Sequence, residues 1–173
     1  KSSTYGAQLI DEGYEYQASY ELAGTDIIYA RFRKEDLQTQ SSSYAYVFAV
    51  AEGGSSTEIS FTGSAPWAET AISELYIEDG VTGIGDNAFA GQAALTTAVL
   101  PSSITAIGDS AFSGDRQLTI QIVGAEENVL DLSNVTEIGN SAFANCTALG
   151  GTSQARTTLK LGDKLTHVGN SAF

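Results

Sequence analysis

The stretch "LTTAVLPSSITAIGDSAF", residues 95–112, contains one complete unit of a repeat that decides the fold. Its last six letters recur with small changes at residues 84–89, 138–143 and 168–173. The copies begin at Ile84, Ile107, Ile138 and Val168, so they are 23, 31 and 30 residues apart. A motif that recurs at such a period indicates stacked repeat units rather than a single catalytic loop.

Each unit opens with a short stretch in which apolar and polar residues alternate, which is typical of a strand with one buried face. The residues predicted to point inward are Leu75 and Ile77, Ala98 and Leu100, Leu130 and Leu132, and Leu159 and Leu161. A turn follows, and an apolar pair then returns the chain to the core: Val81/Ile84, Ile104/Ile107, Val135/Ile138 and Leu165/Val168. The two longer spacings include "TIQIVGAEEN" and "GGTSQART", which we predict to be loop or hairpin insertions on one edge.

The Gly-Asp or Gly-Asn step of the motif is predicted to be a corner of the scaffold rather than a site. The glycines allow a close backbone approach that a Cβ atom would hinder; they are Gly85, Gly108, Gly139 and Gly169. The residues after them are predicted N-caps of short helical turns: Asp86, Asp109, Asn140 and Asn170. The Ala-Phe pair that ends each copy is predicted to place a ring in the core between coils.

The first 65 residues have a different pattern, rich in aromatic residues and alternating with period two. "YEYQASYEL" is predicted to place Tyr14, Tyr16, Ala18, Tyr20 and Leu22 on one face of a strand. "DIIYARF", "SYAYVFAV" and, briefly, "TEISFTG" alternate in the same way. We therefore predict a small antiparallel sheet over residues 1 to about 65, while "KEDLQTQSSS" is either a helical turn or a loop.

Composition excludes several classes of function. The chain has 21 Asp and Glu against 8 Lys and Arg, a formal net charge of -13, which opposes binding to nucleic acid and to anionic membranes. No run approaches the ~18 apolar residues of a membrane-spanning helix, so we expect no membrane insertion. With one cysteine and one histidine, the sequence predicts no disulfide framework, no metal site and no cofactor.

Catalysis by a Cys–His pair would need Cys146 and His167 to lie close together. Cys146 is predicted to face the core, whereas His167 takes an outward position in the next unit. The acidic stretches "DEGYEY" and "IEDG" lack the spacing of a calcium-binding loop and are interpreted as solvated turns. We therefore predict no catalytic residue and no enzymatic activity.

Residues 64–173 resemble the BspA-like class of bacterial leucine-rich repeats, whose unit runs roughly LxxVxIPxxVxxIGxxAFxxC. The resemblance rests on "LTTAVLPSSITAIGDSAF", on "LYIEDGVTGIGDNAF" and on Cys146 of "AFANC", which stands at the cysteine position of the family. Two copies depart from the pattern there, with Gln92 and Asp115. The resemblance implies an extracellular or cell-surface bacterial protein, secreted or anchored, with a role in adhesion.

The predicted fold is mostly β. It consists of a β-rich, Tyr-rich cap over residues 1–65 and a right-handed leucine-rich-repeat solenoid over residues 66–173, with short strands and short helical turns. About four repeats are expected, with the array cut at its C-terminal end, because the chain lacks an initial Met and stops at Phe173, the last letter of a motif copy. We expect the tyrosine sheet to cap the open end of the repeat stack.

The outward strand positions of the repeats form the predicted ligand-binding face, since solenoids bind through extended strand surfaces. These positions are Glu74, Tyr76, Thr97, Val99, Val129, Asp131, Thr158 and Lys160. Tyr76 is the one aromatic residue among them, and tyrosine is favoured at protein interfaces. The first hypothesis is a module that binds an extracellular protein of a host or of another microbe. The alternatives are a carbohydrate-binding module acting through Tyr14, Tyr16 or Tyr20, and a structural spacer.

Overall fold

The structure is a computed structural model that describes residues 3–173, and it is mostly β, as predicted. It has one α-helix, α1 (Thr4–Asp11), and one 3-10 helix (Thr147–Gly150) in the described residues. The strands are β1 (Glu15–Glu21), β2 (Ile27–Asp36), β3 (Ser41–Val50), β4 (Glu58–Ile59), β5 (Ile72–Ile77), β6 (Gly83–Ile84), β7 (Thr97–Leu100), β8 (Ala106–Ile107), β9 (Thr119–Ile122), β10 (Val129–Leu132), β11 (Glu137–Ile138), β12 (Thr158–Leu161) and β13 (His167–Val168).

The helix α1 corrects the expectation of an all-sheet N-terminal segment. Ser3 caps it, because its side-chain oxygen accepts a hydrogen bond from the Gly6 amide at 3.3 Å. The segment "TYGAQLID" shows no period-two alternation, and its buried residues, Gly6 and Leu9, are three apart, as on one face of a helix. The helix therefore forms because it buries Leu9 against the sheet that follows.

One six-stranded sheet carries both the N-terminal strands and the first repeats, in the order β1-β2-β3-β5-β7-β9. The strands β1, β2 and β3 pair antiparallel, as predicted, whereas β3-β5-β7-β9 are parallel. "KEDLQTQSSS" contains a four-residue hairpin turn at residues 37–40. Asp36 stabilises that turn, because its Oδ1 atom accepts hydrogen bonds from the amides of Gln38 and Thr39.

A β-bulge in β1 overturns the prediction that its tyrosines share one face. The register shifts between Tyr16, which pairs with Phe32, and Ala18. Tyr16 therefore packs on Phe32, on the face that α1 covers, whereas Tyr20 stacks on Tyr29 on the opposite face. The extra residue moves the side chains that follow it to the opposite faces of the strand. The alternation of residue types in the sequence does not reveal such a bulge.

The repeat corners form a second sheet of two-residue parallel strands, in the order β13-β11-β8-β6-β4. Ile59, Ile84, Ile107, Ile138 and Val168 lie in register along it, so each returning apolar residue faces the equivalent residue of the next coil.

Of the two predicted insertions, one is a strand and one is a hairpin. "TIQI" is β9, which pairs parallel with β7 over Thr97–Leu100, so its interpretation as a loop or hairpin was wrong. The strands β10 and β12 then pair with each other as a separate parallel ribbon. "GGTSQART" closes on itself through an antiparallel bridge between Gly151 and Arg156, as predicted for a hairpin.

The main core lies between the two sheets and is organised around a column of stacked rings. Trp67, Phe89, Phe112, Phe143 and Phe173 follow one another, with ring centroids 5.2 to 5.6 Å apart and planes within 24°. The inward strand residues from Leu75 to Leu132 are fully buried, as predicted. The last coil is the exception: Leu159 and Leu161 are each 42% exposed, since no further coil packs on them within residues 3–173.

The motif glycines are placed as predicted, whereas the N-cap prediction was wrong. A Cβ atom on Gly108 would lie 2.5 Å from Asp86 Oδ1, and each of the equivalent glycines is as tightly enclosed. Instead of capping a helix, Asp86 Oδ1 accepts the amide of Asp109 in the next coil at 2.7 Å. Asp109 does the same for Asn140, and Asn140 for Asn170, which makes a ladder of side chain to backbone bonds.

Candidate functional site

The outer face of the six-stranded sheet carries half of the predicted ligand-binding residues, aligned in rungs. One rung joins Glu74, Thr97 and Thr119, and the next joins Tyr76, Val99 and Gln121. The predicted side chains of β5 and β7 are therefore cross-strand neighbours. Thr119 and Gln121, both exposed, extend the same rungs onto β9.

The first part of this face is covered, which corrects the expectation that Tyr76 and Val99 are exposed. Tyr76 is 5% exposed and Val99 is 8% exposed. Both belong to a second apolar cluster, in which Leu9 of α1 and Tyr14 pack on the outer face of the sheet. The ring of Tyr5 in α1 lies 5.0 Å from that of Tyr76. The helix α1 therefore occupies the strand face at β5 and β7, where the sequence predicted a binding surface.

Burial also governs the chemistry of the covered tyrosines. The Tyr76 hydroxyl donates a hydrogen bond to Glu74 Oε2 at 2.9 Å. Burial of the phenol and the neighbouring Glu74 carboxylate raise the pKa of Tyr76 well above its usual range. Burial raises the pKa of Tyr14 in the same way. The Tyr76 phenol is therefore a neutral hydrogen-bond donor at physiological pH.

We expect Tyr76→Ala to lower the free energy of unfolding by about 3 kcal/mol, since truncating a buried aromatic side chain leaves a cavity. Tyr16→Ala is the matched control, because the Tyr16 side chain is 54% exposed, and it should cost about 1 kcal/mol. Urea unfolding of both variants and the parent measures the difference. Equal stability losses would contradict the burial of Tyr76 under α1.

The other predicted residues lie on the uncovered ribbon. Val129 and Asp131 of β10 are half-buried, and they pair with Thr158 and Lys160 of β12, which are exposed. Lys160 Nζ donates to Asp131 Oδ2 at 3.0 Å. Hydrogen bonds from the Ser133 hydroxyl and from Lys160 hold the pKa of Asp131 below its usual range. The ribbon thus presents one ion pair among threonine and valine side chains.

A crevice opens at the C-terminal ends of β9 and β10, where hydrogen bonding between neighbouring strands of the repeats is interrupted. It has a volume of about 210 Å³, and its walls include Pro101, Ile122, Val123 and the Asp131–Lys160 pair. Thr119 and Gln121 do not line the crevice, and the sequence analysis missed both as strand-face residues. The alternation of "TIQI" was the signal that could have revealed them as strand residues.

The structure does not bring Cys146 and His167 together. Cys146 is buried, and its Sγ–H donates to the Phe112 carbonyl at 3.0 Å. Burial and the nearby Asp115 carboxyl raise the pKa of Cys146 to about 11, so the thiol is not a nucleophile at neutral pH. His167 lies exposed on β13, in the sheet of two-residue strands that the repeat corners form.

The described part of the chain has neither a cluster of metal-ligating side chains nor a helix suited to a membrane. Within residues 3–173, no three His, Cys, Asp or Glu side chains are grouped as metal ligands would be. Over the same residues, no helix has the length and apolar character that spanning a membrane requires.

Comparison with known proteins agrees with the repeat geometry. Residues 61–173 match the model of the BspA type leucine rich repeat region in six copies. The chain belongs to this family. BspA-type proteins are typically found at the bacterial surface or are secreted, are generally without enzymatic activity, and their repeats generally serve protein interaction.

A solved bacterial structure is similar to the BspA-type chain. The structure is that of a leucine-rich repeat protein from Eubacterium ventriosum, with 20% sequence identity and a TM-score of 0.47. The match covers 90% of this chain and 44% of the solved chain. This chain therefore spans less than half of the length of that relative. No curated protein matches it significantly.

Proposed function

We propose that this chain is a protein-binding module of a secreted or surface-anchored bacterial protein with a role in adhesion. Its ligand, a protein of a host or of another microbe, would dock on the exposed strand face. We define that face by its six outer residues on β9, β10 and β12: Thr119, Gln121, Val129, Asp131, Thr158 and Lys160. In this proposal the repeats wind as a right-handed solenoid, and residues 1–65 cap its first coil.

The single observation that supports this location is the position of α1. The helix buries Tyr76 and Val99 and so removes β5 and β7 from contact with a partner. The same rungs continue uncovered through Thr119 and Gln121. At the C-terminal ends of β9 and β10, the crevice lined in part by Asp131 and Lys160 offers a hollow for a partner's side chain. A surface with exposed polar residues and a hollow suits a protein interface, in which a central side chain fills a pocket and polar groups surround it.

The proposed cap has its own support in the packing of the first coil. Trp67 stacks on Phe89 at 5.6 Å, and Tyr29 and Phe48 pack edge-on against Trp67. The inner face of the N-terminal strands thereby covers the apolar end of the ring column, which would otherwise be open to water. Terminal repeats need such a cover.

The carbohydrate alternative is less well supported than protein binding. Glycan stacking needs exposed rings on a shared face, but Tyr14 is buried and Tyr20 stacks on Tyr29 on the opposite face from Tyr16. A single exposed tyrosine ring, that of Tyr16, is left on the face that α1 covers. The spacer alternative is tested by the same experiment as the main proposal.

Arginine substitutions on the exposed strand face test the proposal. The variant Gln121→Arg/Thr158→Arg places two bulky cations on exposed positions of β9 and β12. Binding to immobilised fibronectin, fibrinogen and mucin is measured by biolayer interferometry with the full chain. We expect the double substitution to weaken saturable binding about ten-fold or more, because bulk at a central contact prevents close packing.

Gln38→Arg is the matched control, since Gln38 lies in the exposed β2–β3 turn, away from the face. It should leave binding unchanged. An equal loss in the control would show a general charge effect and would refute the location. Absence of binding by the parent to all three proteins would favour the spacer.

A further inference from the structure

A groove opens on the outer face of the N-terminal strands, between α1 and β1–β3. Its volume is about 530 Å³, within the usual range for small-molecule sites. Ala7 and Ile10 of α1 form one wall, and Tyr16 and Phe32 form the opposite one. It is separate from the exposed strand face, which lies on β9, β10 and β12.

Small side chains create the groove. Ala30 and Ala49 of β2 and β3 line it, so the sheet offers little bulk at the points where α1 passes over it. On the helix side, Gly6 approaches so closely that a Cβ atom there would lie 3.4 Å from the Phe32 ring. The helix is therefore held by close packing at Gly6 and Leu9, and the space beside Ala7 is left unfilled.

The groove combines an apolar interior with hydroxyl and carboxylate groups. Ile10 is 57% exposed and Tyr16 is 54% exposed, so both offer apolar surface to a ligand. The Tyr16 and Ser19 hydroxyls, 3.0 Å apart, provide a hydrogen-bonding pair. Asp11, at the C-terminal end of α1, adds a carboxylate where the helix dipole is also negative.

No Lys, Arg or His side chain lines the groove in the described residues, so nothing there compensates an anion. A protonated amine, by contrast, is attracted by Asp11, by the end of the helix and by the exposed π face of Tyr16. The geometry points to a small-molecule site for an arylalkylamine: a flat apolar ring between α1 and the sheet, with its ammonium group at Asp11.

Three probes of similar size test the site: phenethylamine, 2-phenylethanol and 3-phenylpropionate, which differ in charge. Each is titrated into the full isotope-labelled chain at low ionic strength, and amide shifts are followed by NMR. We expect shifts centred on Ala7, Ile10 and Ala30, with the amine binding about three-fold or more tighter than the acid. Asp11→Asn should weaken the amine about three-fold and leave the alcohol unchanged.

Ala7→Leu fills the groove from the exposed side of the helix and should abolish binding of all three probes. Leucine and alanine are both strong helix formers, so α1 is kept. Gln8→Leu is its matched control: it adds an exposed leucine on the same helix, outside the groove, and should bind as the parent does. Amine binding that survives Ala7→Leu would overturn the assignment. So would acid binding as tight as amine binding, or no shift at the groove with any probe.

Discussion

Replacing Gly139 with alanine is expected to lower the free energy of unfolding by about 3 kcal/mol or more. The added Cβ atom would lie 2.4 Å from the Asp109 amide nitrogen and 2.5 Å from the Gly108 carbonyl carbon. These are backbone atoms of the neighbouring coil, and they cannot withdraw as a flexible side chain can. The Gly139 amide donates to the Ile107 carbonyl at 2.8 Å, so separating the coils would also break the ladder bond.

Gly150→Ala is the matched control for this prediction. Apart from its chain neighbours and its own helical turn, no atom lies within 4 Å of the Cβ position at Gly150, and its backbone is not left-handed. We expect that variant to stay within about 0.5 kcal/mol of the parent. The measurement is urea unfolding followed by far-UV circular dichroism. If both alanine variants unfold at the same urea concentration, the close coil contact at the Ile-Gly corner is not a requirement of the fold.

The repeat architecture was predictable because each unit gives the same signal. The apolar pair at Ile104 and Ile107, the enclosed Gly108 and the buried Phe112 all repeat at matching positions in other coils. Stacking of identical units then aligns them, as the rings of Phe89, Phe112 and Phe143 show. Once the period is recognised, elementary packing leads to parallel strands and to a core between two sheets.

The covered strand face was not predictable from the repeats, because its cover comes from elsewhere in the sequence. Tyr76 occupies an outward position in its strand, and outward positions in a repeat array face solvent unless another segment packs on them. That segment is α1, more than sixty residues earlier in the chain. Two other predictions failed for local reasons. One extra residue in β1 reverses the strand faces after Tyr16. The Asp86 side chain accepts a hydrogen bond from the Asp109 amide of the next coil instead of capping its own turn.

Gln92 and Asp115 occupy the position at which the family repeat has cysteine. The structure shows how this difference changes the core at Asp115. Asp115 is fully buried, and its Oδ1 atom accepts the Gln92 amide at 2.7 Å. Its Oδ2 atom has no hydrogen-bond partner within residues 3–173. Burial raises the pKa of Asp115 to about 8, despite the opposing hydrogen bond from the Gln92 amide.

The raised pKa of Asp115 sets the direction of a pH dependence. In the unfolded chain this carboxyl loses its proton near pH 3.8, whereas in the folded chain it does so near pH 8. Between these values the folded state binds more protons, so stability falls as pH rises and levels off above pH 8. The loss from this one group is on the order of 6 kcal/mol, at about 1.4 kcal/mol per pKa unit.

Asp115→Cys is expected to remove this dependence and to stabilise the fold by several kcal/mol at pH 8. The thiol at Cys146 shows how such a group fits: it is buried, neutral and bonded to the Phe112 carbonyl. At position 115 the equivalent acceptor is the Phe89 carbonyl, one coil earlier.

Urea unfolding is measured at pH 5, 6, 7 and 8 under reducing conditions. The free energy of unfolding of the parent should fall as pH rises, whereas that of Asp115→Cys should change little. Asp163→Asn removes the same charge at an exposed position and should run parallel to the parent. Parallel curves for Asp115→Cys and the parent would mean that Asp115 is already ionised in the folded chain at pH 5. A hydrogen-bond partner would then stabilise the buried carboxylate, and its ionisation would not lower the stability of the fold as pH rises.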